Sequence, residues 1–354
     1  MTKTNVIVTH DLKGALEESI SALSPDRIFL LMDETTERCC RPLLVEKCPS
    51  LQSAIPIVIG ATDVCKTLDT LADVWSALGN GGGTRHSLLI NLGGGMVTDL
   101  GGFAASTFKR GIAYINIPTT VLAMVDASAG GKTGINFNGL KNEIGVFNDA
   151  QRVIIDTAFL RTLDDRNIRS GYAEMLKHGL ISTEQMWQEL LNFDLNAPDL
   201  ELLSDMIGRS VEVKERIVAE DPHEKGIRKA LNLGHTVGHA FESWAMQTDS
   251  PILHGYAVAF GLIAELYLSC CKTHFPVEKM RKTVQFIHEN YGSLPISCKD
   301  YENLYTLMTH DKKNVAGIIN FTLLSDIGGV CIDNKASKKE IFEMLDFFCD
   351  SVGR

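Results

Sequence analysis

The chain has 354 residues, of which 45% are hydrophobic and 22% are charged, so it can bury a sizeable core and is expected to form two domains. Its formal net charge of -10 at pH 7 argues against nucleic acid or an anionic membrane as the main partner. The nine cysteines show no C-x-x-C spacing, which favours a reduced intracellular protein over a disulfide framework.

Four short apolar runs in the first half predict strands that alternate with helical segments. They cover residues 27–32, 55–59, 87–92 and 114–117. Continuous β-branched and leucine-rich runs of this kind are typical of a parallel sheet covered on both faces. Ligands of such sheets bind beyond the carboxyl ends of the strands. The turns that begin at Asp33, Gly60, Gly93 and Pro118 are therefore candidate binding positions.

A glycine-rich turn, Gly93-Gly94-Gly95, follows the third strand and leads into a helix that contains Asp99. Glycines let the backbone approach a pyrophosphate, and a helix N-terminus supplies free N–H groups and positive potential. The spacing differs from the G-x-G-x-x-G fingerprint, and such a turn is often only a tight connection. Its place in a parallel-sheet pattern favours nucleotide binding.

A second glycine-rich segment, residues 129–134, contains Lys132 and is similar to the end of a P-loop. The first glycine of that motif is replaced by Asp126, whose carboxylate would face the phosphates, so we reject an ATPase. Lys132 is still a loop cation available to a substrate anion. Other cations also occur in motif segments of this acidic chain, as an anionic small-molecule substrate would require. They are Arg110, Lys141, Lys177, Lys214, Arg228 and the Lys312-Lys313 pair.

From about Asp164 onward the pattern changes to helical periodicity, which predicts an α/β nucleotide-binding domain at 1–163 and an all-helical domain at 164–354. The cleft between them is the default site. The predicted helices cover residues 168–182, 185–195, 200–220, 229–246, 254–272, 277–291 and 338–349. The N-terminus lacks the apolar stretch of a signal peptide. The longest apolar run contains Glu265 and is short for a membrane span, so we expect a soluble, cytoplasmic protein.

One predicted helix carries His235 and His239, which are four residues apart and therefore share a face. Asn232 and Glu242 lie on the same stripe. A helix face with two imidazoles, an amide and a carboxylate is too polar to pack in the core. It is better suited to line a solvent-filled cleft.

Glu174 lies upstream on another predicted helix, three residues before Lys177, and the two could form only an exposed ion pair. Read with the histidines, Glu174 supplies the oxygen ligand of a His₂Glu catalytic zinc site. Spacing alone does not choose two ligands among His235, His239 and His254, because the intervening glutamate of H-E-x-x-H is missing.

These motifs together resemble the 3-dehydroquinate synthase family, through nearly the whole chain and in the same order. The matching stretches are residues 93–103, 118–120, 125–136, 141–147, 174–177, 228–240 and 311–313. The resemblance implies an NAD-binding α/β domain with a mostly parallel sheet, followed by a helical metal-binding domain, and a homodimer.

The resemblance also implies a role for each matching residue. Glu174, His235 and His254 would hold a divalent metal, zinc or cobalt. Catalytic roles fall to Lys132, Asn142, His239, Lys177 and Asp126. Substrate binding falls to Arg110, Lys141, Lys214, Arg228, Asn232 and Lys312, with Arg110 reaching across from the dimer partner. NAD contacts fall to Asp33, Asp63, Lys66, Gly94, Gly95, Asp99, Thr119 and Thr120. Asp63 stands where the family has a glutamate, and a shorter carboxylate can still accept the ribose hydroxyls.

The implied reaction converts 3-deoxy-D-arabino-heptulosonate 7-phosphate to 3-dehydroquinate and phosphate, the second step of the shikimate pathway to the aromatic amino acids. It combines transient oxidation by NAD, phosphate elimination, re-reduction, ring opening and an intramolecular aldol step.

Three other interpretations compete with this one. A metal-dependent glycerol or glycerol-phosphate dehydrogenase shares the glycine turn, but the motifs at residues 130–134 and 232–239 argue against it. A sister cyclase that makes an inosose or a valiolone would alter substrate-binding positions such as Lys214 and Arg228, which are intact. A non-catalytic NAD-binding protein would have lost a metal ligand, and none is lost.

Overall fold

The computed structural model describes residues 6–138, 140–309 and 319–351. The chain divides into two compact units. The first comprises the residues up to Asp164 together with Leu200–Val211, and the second comprises Asp165–Asp199 and the residues from Glu212 onward. The separate biochemical roles assigned to residues 1–163 and 164–354 stay a prediction.

Within the described part of the first unit, six strands form a parallel sheet and two form a separate antiparallel hairpin. The strands are β1 (Val6–Val8), β2 (Ile28–Asp33), β3 (Ile55–Ile59), β4 (Leu88–Gly93), β5 (Ala113–Pro118), β6 (Lys132–Phe137), β7 (Leu140–Phe147) and β8 (Arg152–Ile155). The sheet order is β1-β8-β5-β4-β2-β3, and β6 pairs with β7. All four predicted strands lie in the sheet. Their continuous apolar runs follow from burial on both faces, and every residue of β4 is buried.

Strands β2 and β4 are neighbours in the sheet. The chain adds β3 on the far side of β2 and β5 on the far side of β4, so the direction in which strands are added reverses between β2 and β4. Ligands of open parallel sheets bind at such a point, beyond the carboxyl ends of the strands. Here β2 ends at Asp33 and β4 ends at Gly93, in two of the turns expected to bind a ligand.

Helices cover the sheet and form most of the second unit. They are α1 (Leu12–Leu23), α2 (Glu34–Cys39), α3 (Arg41–Lys47), α4 (Leu68–Asn80), α5 (Gly95–Thr107), α6 (Asp165–Leu180), α7 (Glu184–Leu191), α8 (Leu200–Glu220), α9 (His235–Ala245), α10 (His254–Thr273), α11 (Val277–Tyr291), α12 (Tyr301–Thr309) and α13 (Lys338–Ser351). The core of the first unit forms where alternate residues of β2, β4 and β5 pack with Leu12, Leu16 and Leu44 of α1 and α3.

The second unit is helical, as expected, and also contains an antiparallel hairpin of β9 (Asn320–Asp326) and β10 (Gly329–Lys335). The sequence analysis did not include this hairpin, because a short apolar run such as residues 321–324 fits a buried strand or a buried helix equally well.

Helix α10 alone, among the described residues, is long and apolar enough to cross a membrane by length and composition. In the structure, 72% of the tested stretch is buried inside the protein, as expected for a core helix.

Candidate functional site

Three side chains from three helices of the second unit meet in one place. Glu174 comes from the interior of α6, and His235 and His254 are the first residues of α9 and α10. Oε1 of Glu174 lies 3.3 Å from Nε2 of His235 and 3.4 Å from Nε2 of His254. Their candidate ligand atoms all lie within 4.8 Å of one another.

The chemistry of this group fits a divalent metal. Oε1 of Glu174 is buried and has no hydrogen bond in the structure, which is a costly arrangement for a carboxylate oxygen unless another partner satisfies it. One carboxylate and two imidazoles are the donor set of many catalytic zinc sites. Ligands placed tetrahedrally at about 2.1 Å from one zinc ion lie roughly 3.4 Å apart. The observed spacing matches that value, so the residues present fit the group.

The charges around Glu174 favour its ionised form. Burial raises the pKa of this carboxyl, but the Lys177 ammonium and the His235 imidazole outweigh burial and hold the pKa well below its ordinary value. Burial lowers the pKa of His254, but the Glu242 and Glu174 carboxylates outweigh it and raise the pKa to about 10. Glu174 is therefore held in the ionised form that a metal-binding carboxylate requires.

A close helix contact places His254 beside Glu174. The N–H of Gly255 donates to Oγ of Ser170 on α6 at 3.1 Å. A Cβ atom at position 255 would lie 1.7 Å from the Ser170 carbonyl oxygen, so only glycine allows this approach. Ser170 lies one helical turn before Glu174. Nδ1 of His254 lies 3.2 Å from Oε2 of Glu242, which sets the direction of the ring.

His239 lies near this group but outside it. The centroid of its ring is 5.4 Å from that of His235 and 5.9 Å from that of His254. Its side chain is half-buried. The ligand spacing in the described residues thus joins Glu174 with His235 and His254, whereas sequence spacing left the choice among the three histidines open.

The predicted helix over residues 229–246 is interrupted. A short 3₁₀ segment, Ile227–Asn232, ends before α9 begins at His235, because Gly234 has a φ of 78°. Asn232 therefore does not share a helical stripe with His235. Its Nδ2 donates to Oε1 of Glu224 at 2.8 Å.

Among the described residues of the second unit, three lysine and arginine side chains are buried, which is rare outside functional or paired positions. Lys177, Lys214 and Arg228 are 1%, 6% and 3% exposed. Lys177 donates to Oε2 of Glu174. The Arg228 guanidinium donates to the carbonyl of Pro222 at 2.7 Å.

In the first unit, Lys66 forms the centre of a polar cluster. Its buried ammonium donates to Oδ2 of Asp99 at 2.5 Å and to Oδ1 of Asn142. Asn142 has a left-handed backbone with a φ of 51°, and its N–H donates to Oδ1 of Asn136 at 2.9 Å. Nδ2 of Asn136 donates to Oδ2 of Asp63 at 3.2 Å. Five residues of this cluster are thus connected by hydrogen bonds.

The other predicted cofactor residues lie at the ends of β2, β4 and β5. Gly94 is the N-cap of α5 and Gly95 its first residue, and Gly94 offers no side-chain cap. The N–H of Thr119 donates to the Gly93 carbonyl at 3.0 Å, and Oγ1 of Thr120 accepts from the N–H of Ala123 at 3.1 Å. The carboxylate of Asp33 caps α2, where it accepts from the N–H of Thr36 at 2.8 Å.

The predicted anion-binding residues of the first unit occupy several positions. Arg110 is exposed and lines a cavity of about 410 Å³ together with Thr84, Arg85 and Lys109. Lys132 is exposed at the start of β6. Nζ of Lys141 lies 3.4 Å from Oδ2 of Asp63. Asp126, which is predicted to be catalytic, is half-buried in the short π-helical segment Ala123–Ala127. Lys312, from the C-terminal part of the chain, lies outside the described residues.

The sequence analysis assigned no role to three polar residues that the structure places in or near the site. Asn136 connects Asp63 with Asn142. Asp221 accepts hydrogen bonds from the N–H groups of Gly226 and Arg228 at 2.6 and 3.2 Å. Glu265 is fully buried in α10. A single carboxylate in a long apolar run was the available signal for Glu265. The other two depend on loop geometry that no periodicity reveals.

Comparison with known proteins gives matches over the whole chain. The family model described as 3-dehydroquinate synthase N-terminal matches residues 56–170, and the model described as 3-dehydroquinate synthase C-terminal matches residues 171–314. A curated 3-dehydroquinate synthase from Parabacteroides distasonis is 54% identical over 353 residues, which cover 100% of both chains.

Solved structures with the same fold include two synthases that act in other reactions by their names. The 2-epi-5-epi-valiolone synthase from Streptomyces hygroscopicus subsp. jinggangensis, with NAD⁺ and Zn²⁺ bound, is 25% identical with a TM-score of 0.81 and covers 99% of this chain and 98% of its own. A 2-deoxy-scyllo-inosose synthase complexed with carbaglucose-6-phosphate, NAD⁺ and Co²⁺ is 24% identical with a TM-score of 0.81 and covers 93% of each chain.

Proposed function

The chain belongs to the 3-dehydroquinate synthase family, and we propose that it converts 3-deoxy-D-arabino-heptulosonate 7-phosphate to 3-dehydroquinate and phosphate in the shikimate pathway. The observation that carries this proposal is the group of Glu174, His235 and His254, whose buried carboxylate oxygen faces two imidazole nitrogens. These residues would hold zinc or cobalt. The turns after β2, β4 and β5 would hold NAD.

When bound, NAD accepts and returns a hydride, and the metal acidifies the substrate hydroxyl that is oxidised. The protein's own residues orient the substrate. The buried Lys177 ammonium, paired with Glu174, keeps that carboxylate ionised and directed toward the two histidines. His239 is close enough to these rings to contact a substrate held there, and its ring nitrogens can form hydrogen bonds with the substrate hydroxyls.

The substrate is an anion at both ends, with a carboxylate and a phosphate. Buried Lys214 and Arg228 are assigned to it because their desolvated charges bind an anion more strongly than surface charges do. Exposed Arg110 and one of the Lys312-Lys313 pair are assigned to the phosphate end, and Lys132 is assigned to the substrate as a catalytic residue. Asn142 is assigned to the substrate as well, with its backbone and side chain fixed by Asn136 and Lys66.

The test of the function uses purified protein, the heptulosonate phosphate and NAD⁺ well below the substrate concentration. We expect phosphate release over many turnovers, with no net NADH, and loss of that release on chelation of the metal. Accumulation of NADH in step with substrate loss would instead identify a dehydrogenase, and turnover that continues in excess chelator would exclude the metal assignment.

We also propose that the protein is cytoplasmic and acts as a homodimer in which Arg110 serves the partner's site. The exposure of Arg110 and its place in a cavity that Arg85 and Lys109 also line support this proposal. Mixing an Arg110→Ala variant with a Lys132→Ala variant should restore activity, since one site of the mixed dimer then has both residues. Absence of restored activity, with mixed dimers shown by mass spectrometry, would contradict the shared site.

A further inference from the structure

Helices α9 and α10 touch through their backbones. A Cβ atom at Gly261 would lie 2.0 Å from the carbonyl oxygen of Gly234 and 2.8 Å from the nitrogen of Gly238. Only glycine at position 261 therefore lets the two helices approach this closely. Gly234 itself has a φ of 78°, and a Cβ atom there would lie 2.9 Å from the side chain of Leu262. The start of α9 is thus pressed against the middle of α10.

This crossing leaves α9 without a cap of its own. The N-cap residue is Gly234, which has no side chain to accept a hydrogen bond from the first turn. Serine or aspartate, the usual N-cap residues, would need a Cβ atom in space that Leu262 occupies. The first N–H groups of α9 therefore require an acceptor from another part of the chain.

Glu265, one turn after Gly261 on α10, provides that acceptor. Its side chain is fully buried, Oε2 accepts from the N–H of Gly234 at 2.6 Å, and Oε1 accepts from the N–H of Val237 at 3.1 Å. A carboxylate at a helix N-terminus interacts favourably with the helix dipole, and two charge-assisted hydrogen bonds offset part of its desolvation. The two donors lie immediately before and shortly after His235.

We propose that Glu265 is a positioning residue for the metal ligand His235. The inference rests on the metal site proposed above. His235 is the first residue of α9, and its Nδ1 lies 3.1 Å from the carbonyl oxygen of Leu233, so the direction of its ring follows the backbone at this point. Glu265 fixes that backbone and so directs Nε2 of His235 toward Glu174. A metal site tolerates errors of only about 0.2 Å in ligand distance, so a small shift of this turn weakens binding.

The test compares Glu265→Gln with Ser269→Ala in the full chain. Glutamine keeps one acceptor but presents an NH₂ group to the second N–H, so the turn must shift. Ser269 is a matched control, since it is buried one turn further along α10 and its Oγ also accepts a backbone N–H, that of Leu324 at 3.1 Å. Both variants should lower the melting temperature of the metal-free protein.

The metal is measured by titration of metal-free protein with Co²⁺, followed by visible absorption of the bound ion. We expect Glu265→Gln to weaken Co²⁺ binding 10- to 100-fold, the usual effect of losing a residue that supports a ligand, and to shift the absorption bands. Ser269→Ala should keep both the affinity and the spectrum of the parent protein. If Glu265→Gln does not fold, Glu265→Asp is measured in its place, with the same expectation because its carboxylate is one methylene further from the two N–H groups.

Unchanged Co²⁺ affinity and spectrum in the folded Glu265 variant would overturn the proposal and leave Glu265 a purely structural residue. Equal losses of affinity in the Glu265 and Ser269 variants would overturn it too, because the effect would then be general destabilisation. The assay uses no substrate. A parent protein that binds Co²⁺ but releases no phosphate would therefore refute the proposed reaction and not the role of Glu265.

Discussion

At the scale of single residues, the two histidines of one helix face have different surroundings. Nε2 of His235 faces the Glu174 carboxylate, whereas His239 lies outside the group of ligand atoms. Their spacing of four residues suggested equivalent roles. The division between them depends on a third helix, which brings His254 into place through Gly255 and Ser170. No local pattern around residue 235 contains that information.

We therefore expect both His235→Ala and His239→Ala to lose activity, but only His235→Ala to lose the metal. His235→Ala removes a ligand and should leave less than about a tenth of the metal after dialysis, along with loss of phosphate release. His239→Ala should retain stoichiometric metal and still lose turnover. Metal content by mass spectrometry decides between them, and loss of metal from His239→Ala would make His239 a ligand.

Asn136 offers a second test at this scale, since it connects Asp63 with Asn142. Asn136→Ala removes both connections, so the Asp63 carboxylate is held less firmly by its remaining partner Lys141. A hydrogen bond is worth about 1 kcal/mol, so we expect the KM for NAD⁺ to rise about fivefold. Asn80→Ala, at an exposed position of the same unit, is the matched control and should leave the KM unchanged. Equal KM values in both variants would contradict a role for Asn136 in the cofactor site.

At the scale of elements, the four central strands of the sheet and most helices were predictable, because their patterns depend on burial alone. The four predicted strands lie in the sheet, and the start and end of α11 at residues 277 and 291 match the prediction. The break before α9 was not predictable, because it comes from Gly234 packing against α10. Hairpin β6–β7 was also missed, since β7 is largely exposed and neither strand has a clear apolar alternation.

Helix α13 provides a pH test that is independent of the active site. Ser337 and Glu340 form reciprocal hydrogen bonds at its start, and Lys272 donates to Glu340 at 2.5 Å. The Lys272 and Ser337 hydrogen bonds lower the pKa of Glu340 from 4.5 to about 2. A carboxyl with a lowered folded-state pKa stabilises the fold above its unfolded pKa, and that contribution is lost as the pH falls toward 2.

Glu340→Gln should therefore lower the free energy of unfolding by about 0.5–1 kcal/mol at pH 7, the size of a helix cap at a partly exposed position. The difference from the parent protein should shrink as the pH falls from 5 to 3. Urea unfolding at pH 7, 5 and 3 measures it. A difference that is constant across this range would show that the charge of Glu340 does not contribute.

At the scale of the whole molecule, the proposed metal site lies entirely within the second unit. Its three ligands come from α6, α9 and α10, all of which belong to that unit. The sequence contained the ligand types and the motifs of the family. It did not contain the distances, because residues 174, 235 and 254 meet only after three helices have packed.

Binding of zinc should thus protect the second unit selectively. Metal present at 100 times its Kd stabilises the form that binds it by about 2.7 kcal/mol. We expect hydrogen–deuterium exchange to slow in α6, α9 and α10 on addition of Zn²⁺, with little change in β2, β4 and β5. Glu174→Gln is the control and should show no response. Protection centred on the sheet would place the metal elsewhere.

The carboxylate of Glu265 also affects whether α10 can be inserted into a membrane while the chain is being synthesised. This helix has the length and composition of a segment that a translocon could insert into a membrane. A charged group near the middle of such a segment makes insertion less favourable by about 2.5–3.5 kcal/mol. The group that holds the start of α9 in the folded protein thus also makes membrane insertion of the newly made helix less favourable. Leucine at this position would remove the hydrogen bonds and the barrier to misinsertion together.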